Sequence, residues 1–222
     1  MSTTISYRNS KIDSWYIPIF VILGALLQVI CYWYHDESFL SLVSGISGLI
    51  AVVLCARKRM SMYIFSFVQL FTYVILAFQQ NLYGEIIENS FYFIMMVWGM
   101  FVWNKAYDRR KNEVESRHLS VTKNILLAIG VCMAVFVSWR ILALTDDTHP
   151  FLDAVTTIPA FVGQVLMTLR YREQWIYWFI IDIGSIIMWI SIGDYIMAVQ
   201  FIFWTINCVY GFYRWTTKFL VN

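Results

Sequence analysis

Residues 38–78 read SFLSLVSGISGLIAVVLCARKRMSMYIFSFVQLFTYVILAF. Two apolar runs, Ser38–Ala56 and Ser61–Phe78, contain no Asp, Glu, Lys or Arg, and the turn joining them, Arg57-Lys58-Arg59, is wholly basic. Each run approaches the roughly 20 residues that a helix needs to cross the hydrocarbon core of a bilayer. In lipid a helix satisfies its own backbone hydrogen bonds, and a connection this short leaves room only for an antiparallel hairpin. The stretch is expected to be two membrane-spanning helices folded back on a basic corner.

Six further runs have the same character: Trp15–Tyr34, Asn89–Trp103, Ile125–Leu144, Phe151–Leu169, Gln174–Ser191 and Tyr195–Tyr213. The whole chain of 222 residues is 60% apolar and 14% charged, with a mean hydropathy of +0.64. A soluble domain is nearer a quarter charged and could not bury this much apolar surface, so the surplus must face lipid. The expected fold is an all-α integral membrane protein, a single transmembrane domain over residues 1–222 with eight spans. Met1–Ser14 is polar and no small-residue cleavage site follows the first apolar stretch, so that stretch is expected to remain as a span. Cys31, Cys55, Cys132 and Cys208 lie far apart without CxxC or metal spacing and read as small buried thiols.

Charge checks the count independently. With eight spans both termini share one side, and every one of the 16 Lys and Arg residues except Arg140 falls on that side. Asp36, Glu37, Glu85, Glu88, Asp146, Asp147, Asp153 and Asp194 fall opposite. The positive-inside rule supports the helix number and places both termini in the cytoplasm; the expected location of this multi-pass protein is the inner (plasma) membrane. The basic residues form no single stripe and net charge is only +2, which argues against nucleic acid as a partner.

The chain also resembles itself. Moving from Trp98 to Tyr210, an offset of 112, aligns Trp98-Gly99-Met100-Phe101-Val102-Trp103 with Tyr210-Gly211-Phe212-Tyr213-Arg214-Trp215, and Tyr83 with Tyr195. Moving from Ala56 to Leu169, an offset of 113, aligns the basic turn Ala56-Arg57-Lys58-Arg59 with Leu169-Arg170-Tyr171-Arg172. Two three-helix repeats follow, residues 38–103 and 151–213, with 125–144 as a linker helix and 15–34 as an extra first helix. Three crossings are odd, so one linker helix is needed to make the repeats parallel. This 1+3+1+3 plan with parallel repeats is a known transporter architecture, with the substrate site between the halves.

Chemistry is sought where polarity enters lipid. Asp182, midway along the seventh span, is the one ionisable group expected near the bilayer centre, where a charge is costly and faces a cavity or a partner. Trp175, Trp178 and Asp182, spaced three and four apart, share a helix side, and Ser185 continues the stripe. Two indoles and a carboxylate suit a flat cationic ring, through stacking, cation–π attraction and countercharge. An interfacial aromatic belt is the structural alternative for Trp175, which opens the span. Gln200, Trp204 and Asn207 repeat the spacing on the eighth span. Gln69 and Tyr73 share a face of the third, with Gln69 aligned to Asp182, and Asn89 and Tyr92 lie near the outer end of the fourth. These amides read either as ligand partners or as glue between helices. Pro159, followed by Gly163, marks the sixth span as a hinge or a static kink.

Gln174-Trp175-Ile176-Tyr177-Trp178, directly after a basic turn, resembles the WxxW signature of PnuC-type nicotinamide riboside transporters. The extra first helix, the three-one-three plan and the length fit that family too, so the resemblance covers nearly the whole chain. The family is similar in architecture to the SWEET sugar transporters. The resemblance implies facilitated diffusion of nicotinamide riboside by alternating access, with cytoplasmic phosphorylation trapping the product, and it carries Trp175 and Trp178 over as substrate-site tryptophans. Relatives that carry thiamine or riboflavin keep those substrates open; a neutral three-ring flavin suits a carboxylate less well than a cation does. The partners this reading calls for are a small-molecule substrate and membrane lipid, with room for a homo-oligomer. No cofactor and no metal are called for.

Other classes fare worse. An intramembrane enzyme lacks HExxH, and Gly193-Asp194 lacks the first glycine of a GxGD motif. His35, His118 and His149 all fall outside the spans, leaving no base at depth. A retinal protein needs a lysine in a late helix, where this chain has none. A membrane receptor or assembly subunit would not need paired polar faces.

Overall fold

The computed structural model describes residues 2–34, 38–79, 83–145, 150–192 and 195–217. Among them are eight α-helices: α1 Ser2–Tyr34, α2 Phe39–Ala56, α3 Met62–Gln79, α4 Tyr83–Lys105, α5 Val121–Leu142, α6 Pro150–Thr168, α7 Gln174–Ile192 and α8 Tyr195–Thr216. Five of these, α1 from Ser14, α2, α3, α5 and α6, are long and apolar enough to cross a membrane, and α7 has a shorter apolar stretch, Gln174–Met188. In α4 and α8 the polar residues Glu88, Asn89, Gln200, Asn207 and Arg214 dilute the hydropathy. The helix α1 starts at Ser2, ahead of the apolar run that begins at Trp15. Asp36, Glu37, Asp146, Asp147 and Asp194 of the expected outer face, with His35, His149 and Gly193, lie outside the described residues.

The chain forms two compact units, Met1–Glu115 with Tyr213–Asn222, and Ser116–Phe212. In the first, α1 packs on α2, α2 on α3 and α3 on α4. Trp103 is fully buried, edge-on to Tyr63 at 5.6 Å and to Trp215 at 5.8 Å between ring centroids. The Trp215 indole N–H donates to the Cys55 carbonyl at 3.2 Å, so the end of α2 is tied to this aromatic cluster. In the second unit, α5 packs on α6 and α6 on α7. No side chain of α5 is buried, and apolar residues such as Ile125, Leu126, Ile129, Met133, Phe136 and Val137 stand exposed along it. A helix apolar on every side suits lipid.

The same turn ends α2 and α6. The Arg57 and Arg59 amides donate back to the Val53 and Leu54 carbonyls, and Lys58 to Cys55; Leu169 and Tyr171 donate to Val165 and Leu166, and Arg170 to Met167. These bonds bend the chain back through a left-handed residue and satisfy the last carbonyls of the helix. That residue is Lys58 (φ 58°) in one turn and Arg170 (φ 66°) in the other. From Lys58 to Arg170 the offset is 112, the offset that also relates Trp103 to Trp215, so the slip to 113 expected at this turn does not occur. One consequence is a correction: in this register Leu70, not Gln69, corresponds to Asp182.

The segment between α4 and α5 contains a two-stranded antiparallel ladder, β1 Tyr107–Asp108 and β2 Glu113–Val114. Its tip is fixed locally: an Asp108 carboxylate oxygen accepts from the amides of Arg110 (2.9 Å) and Lys111 (3.3 Å), and Tyr107 donates to Asn112, which sits at φ 51°. The Val114 amide donates to the Lys58 carbonyl at 2.9 Å. Glu113 pairs with the buried Lys58 (3.8 Å) and with Arg214 (3.1 Å) at the end of α8, all within the first unit. In the second unit Arg117 meets the other turn in the same way. Its amide donates to the Arg170 carbonyl at 2.7 Å, it accepts from the Arg172 amide at 2.9 Å, and its guanidinium lies 4.8 Å from the Tyr171 ring centroid.

Candidate functional site

The second unit gathers α6, α7 and α8 around the α7 stripe. Trp175 is 4% exposed, and its indole lies against Gly211 of α8. Trp178, half-buried, lies against Gly163 of α6. The expected shared face is therefore divided between two neighbours, with one tryptophan seated on the glycine of each. Asp182, also 4% exposed, accepts a hydrogen bond from the Cys208 thiol of α8 at 3.3 Å. Ser185, one turn on, is buried, as is Asn207 beside Cys208.

A carboxylate sealed among apolar helices is costly unless it meets partners. A thiol is a weak donor, so Cys208 leaves most of the carboxylate's hydrogen-bonding capacity unused. Cys208 was read from sequence as a small buried thiol. It is buried, as are Cys31 and Cys55, whereas Cys132 on the lipid-facing α5 is exposed, against that reading; the role of Cys208 as the donor to Asp182 becomes visible only when α7 and α8 are set side by side. Of the other α8 candidates, Gln200 and Trp204 are half-buried, and Trp204 stands edge-on to Phe201 at 5.1 Å. Pro159 is buried, and α6 runs through it without a break.

The remaining candidates belong to the first unit. Gln69 of α3 lies against Gly48 of α2, and its backbone carbonyl accepts from the Ser44 hydroxyl at 3.4 Å and the Thr72 hydroxyl at 2.9 Å. Tyr73 is half-buried and Asn89 buried. The Tyr92 hydroxyl donates to Glu88 one turn earlier on α4, which commits its one proton within the helix. A Cβ added at Gly48 would come within 2.9 Å of the Gln69 side-chain amide nitrogen. That atom ends a flexible side chain, so Gly48→Ala is expected to cost less than about 1 kcal/mol of stability, since the neighbour can swing away. Thermal melting of the purified variant checks this. Among the described residues no group of three or more His, Cys, Asp and Glu is placed to hold a metal ion.

Comparison with known proteins adds to this geometry. The chain is similar to the nicotinamide riboside transporter PnuC of Haemophilus influenzae, 29% identical over 97% of each chain. It is similar to the Neisseria mucosa protein of the same name, 26% identical over 89% of this chain and 80% of that one. The Escherichia coli protein of that name is 25% identical over 82% of this chain and 86% of its own. The fold matches a crystal structure described as that of the vitamin B3 transporter PnuC, with a TM-score of 0.75, 26% identity and 91% of each chain covered. The family model for the nicotinamide mononucleotide transporter matches residues 38–217, from the start of the basic-cornered hairpin to the end of α8. The chain belongs to the nicotinamide mononucleotide transporter family.

Proposed function

We propose that this chain carries nicotinamide riboside into the cell by facilitated diffusion, through alternating access. The observation that carries the reading is the sealed carboxylate of Asp182 on the same helix as two indoles, each seated on a glycine of a different neighbour. A pyridinium ring carries a fixed positive charge on a flat π-system. Indoles offer it stacking and cation–π attraction, and the carboxylate offers countercharge where the dielectric is low. Asn207, buried beside Cys208 on α8, is the residue read as meeting the ribose hydroxyls. The similar proteins named as nicotinamide riboside transporters support the same substrate. The riboside suits Asp182 better than the mononucleotide, whose phosphate would bring negative charge toward a carboxylate.

The matching turns at Lys58 and Arg170 support two parallel three-helix repeats in the 1+3+1+3 plan, with all eight helices crossing the inner membrane. The distribution of Lys and Arg supports cytoplasmic termini. Asp182 alone is thin ground for a proton relay, so uptake is read as uncoupled, with metabolism of the product keeping the flux inward.

The test is flux of labelled nicotinamide riboside into sealed vesicles holding the purified protein. The internal concentration should rise to the external one and stop there, with or without a pH gradient, and excess mononucleotide should not slow it. Accumulation above the external level under a proton gradient would replace facilitated diffusion with coupling. Absence of flux would remove the transport reading.

A further inference from the structure

The shared register of 112 sets Met62 against Gln174. Each is the first residue of the helix that follows the turn, α3 in one unit and α7 in the other. Both are sealed: Met62 is 1% exposed and Gln174 0%. Methionine is ordinary filling for a close-packed position. Glutamine, of similar size, brings a carbonyl oxygen and an NH₂ group. Neither its Nε2 nor its Oε1 has a hydrogen-bond partner among the described residues. A buried amide in that condition is destabilising, whereas an apolar side chain of the same shape would not be.

A second such amide lies on α6, the helix packed against α7. Gln164 is 4% exposed, and its Nε2 has no partner among the described residues. Trp178 connects the two. Gln174 precedes it by four residues, on the same face of α7 and about one turn away. Gln164 follows Gly163, the residue against which the Trp178 indole lies.

We propose that Gln174, aided by Gln164, reads the carboxamide of a pyridinium ligand stacked on Trp178. The proposal rests on the transport reading above and names the feature of the substrate that the site selects. A primary carboxamide carries one acceptor oxygen and an NH₂ donor, and a glutamine amide can meet both in a single plane. Both glutamines are sealed, so their hydrogen bonds to a ligand form with the movement that admits it. The ligand then stabilises the state in which these amides are paired, which is the differential interaction a conformational change requires. A site built to hydrogen-bond a substrate group rejects the analogue that lacks it.

The experiment compares two ligands by calorimetric titration of the purified full chain: nicotinamide riboside, and N-ribosylpyridinium, which keeps the ring, charge and sugar but has no carboxamide. The native protein should prefer the riboside by roughly tenfold or more. Gln174→Met should bind the two alike and melt no lower than the native protein, because methionine fills the matching place in the first unit. Gln164→Leu should shrink the preference too, and carries the test if Gln174→Met does not purify. A variant that keeps the full preference overturns the proposal. So does an equal loss for both ligands, which would mark a scaffold role. A native protein that binds both ligands alike overturns the proposal alone, and one that binds neither overturns the transport reading with it.

Discussion

Trp178→Ala is expected to weaken nicotinamide riboside binding by roughly 1–3 kcal/mol, about 5- to 150-fold in Kd. Loss of a stacking platform typically has that size, and the indole adds cation–π attraction toward a charged ring. Trp178 is half-buried rather than sealed. Part of the ring is therefore accessible, and its truncation should leave the bundle folded. The measurement is a calorimetric titration, with a thermal melt of the same preparation as a control. Unchanged affinity in a variant that melts normally would remove Trp178 from the site and leave it as packing against Gly163.

Gly211→Ala is the second large effect. A Cβ at that position would fall 2.5 Å from Cε2 and 2.6 Å from Cζ2 of the Trp175 indole. No carbon contact is stable at that distance. The ring is rigid and nearly sealed, and the glycine lies inside a helix, so neither side can yield cheaply. The indole must leave its rotamer or α8 must move, at about 1–3 kcal/mol of stability, with binding lost because Trp175 is displaced. Gly163→Ala is a milder comparison, since its Cβ would stop 3.2 Å from the Trp178 ring. Trp175→Leu placed on top of Gly211→Ala should recover the melting temperature and leave binding lost. The coupling of the two changes then measures this contact directly. A Gly211→Ala protein with native stability and native affinity would show that Trp175 and Gly211 are not in contact.

The elements of the fold were legible because lipid leaves the backbone few choices. Apolar runs such as Ser38–Ala56 had to be helices, and the basic turn after them marked the corner. Charge and hydropathy do not record hydrogen bonds made across long separations. The ladder at Tyr107–Val114 was therefore missed, although Asp108 and Asn112, both turn formers, stand at its tip. The proposed repeat rests on the likeness of Trp103 and Trp215 and of the two turns. At the turns the basic side chains suggest an offset of 113, whereas the left-handed residues are 112 apart. Lys58 matches Arg170 in φ, and Arg57 in one turn has only Leu169 for a counterpart in the other.

The α7 stripe was read from helical spacing, which gives the side of a helix but not the neighbour it meets. Asp182 and Trp175 turn toward α8 and Trp178 toward α6. The partners Cys208 and Gly163, and the sealed amides of Gln164 and Gln174, depend on how α6, α7 and α8 are set against one another. No local pattern encodes that.

The central claim is that a cationic heteroaromatic ring is held by the indoles and carboxylate of α7. Calorimetric titration of the purified native chain with nicotinamide riboside, thiamine and riboflavin in turn tests it most directly. Saturable heat with nicotinamide riboside, weaker heat with thiamine and none with riboflavin is the expected result. Saturable binding of the neutral flavin with silence from nicotinamide riboside would contradict it.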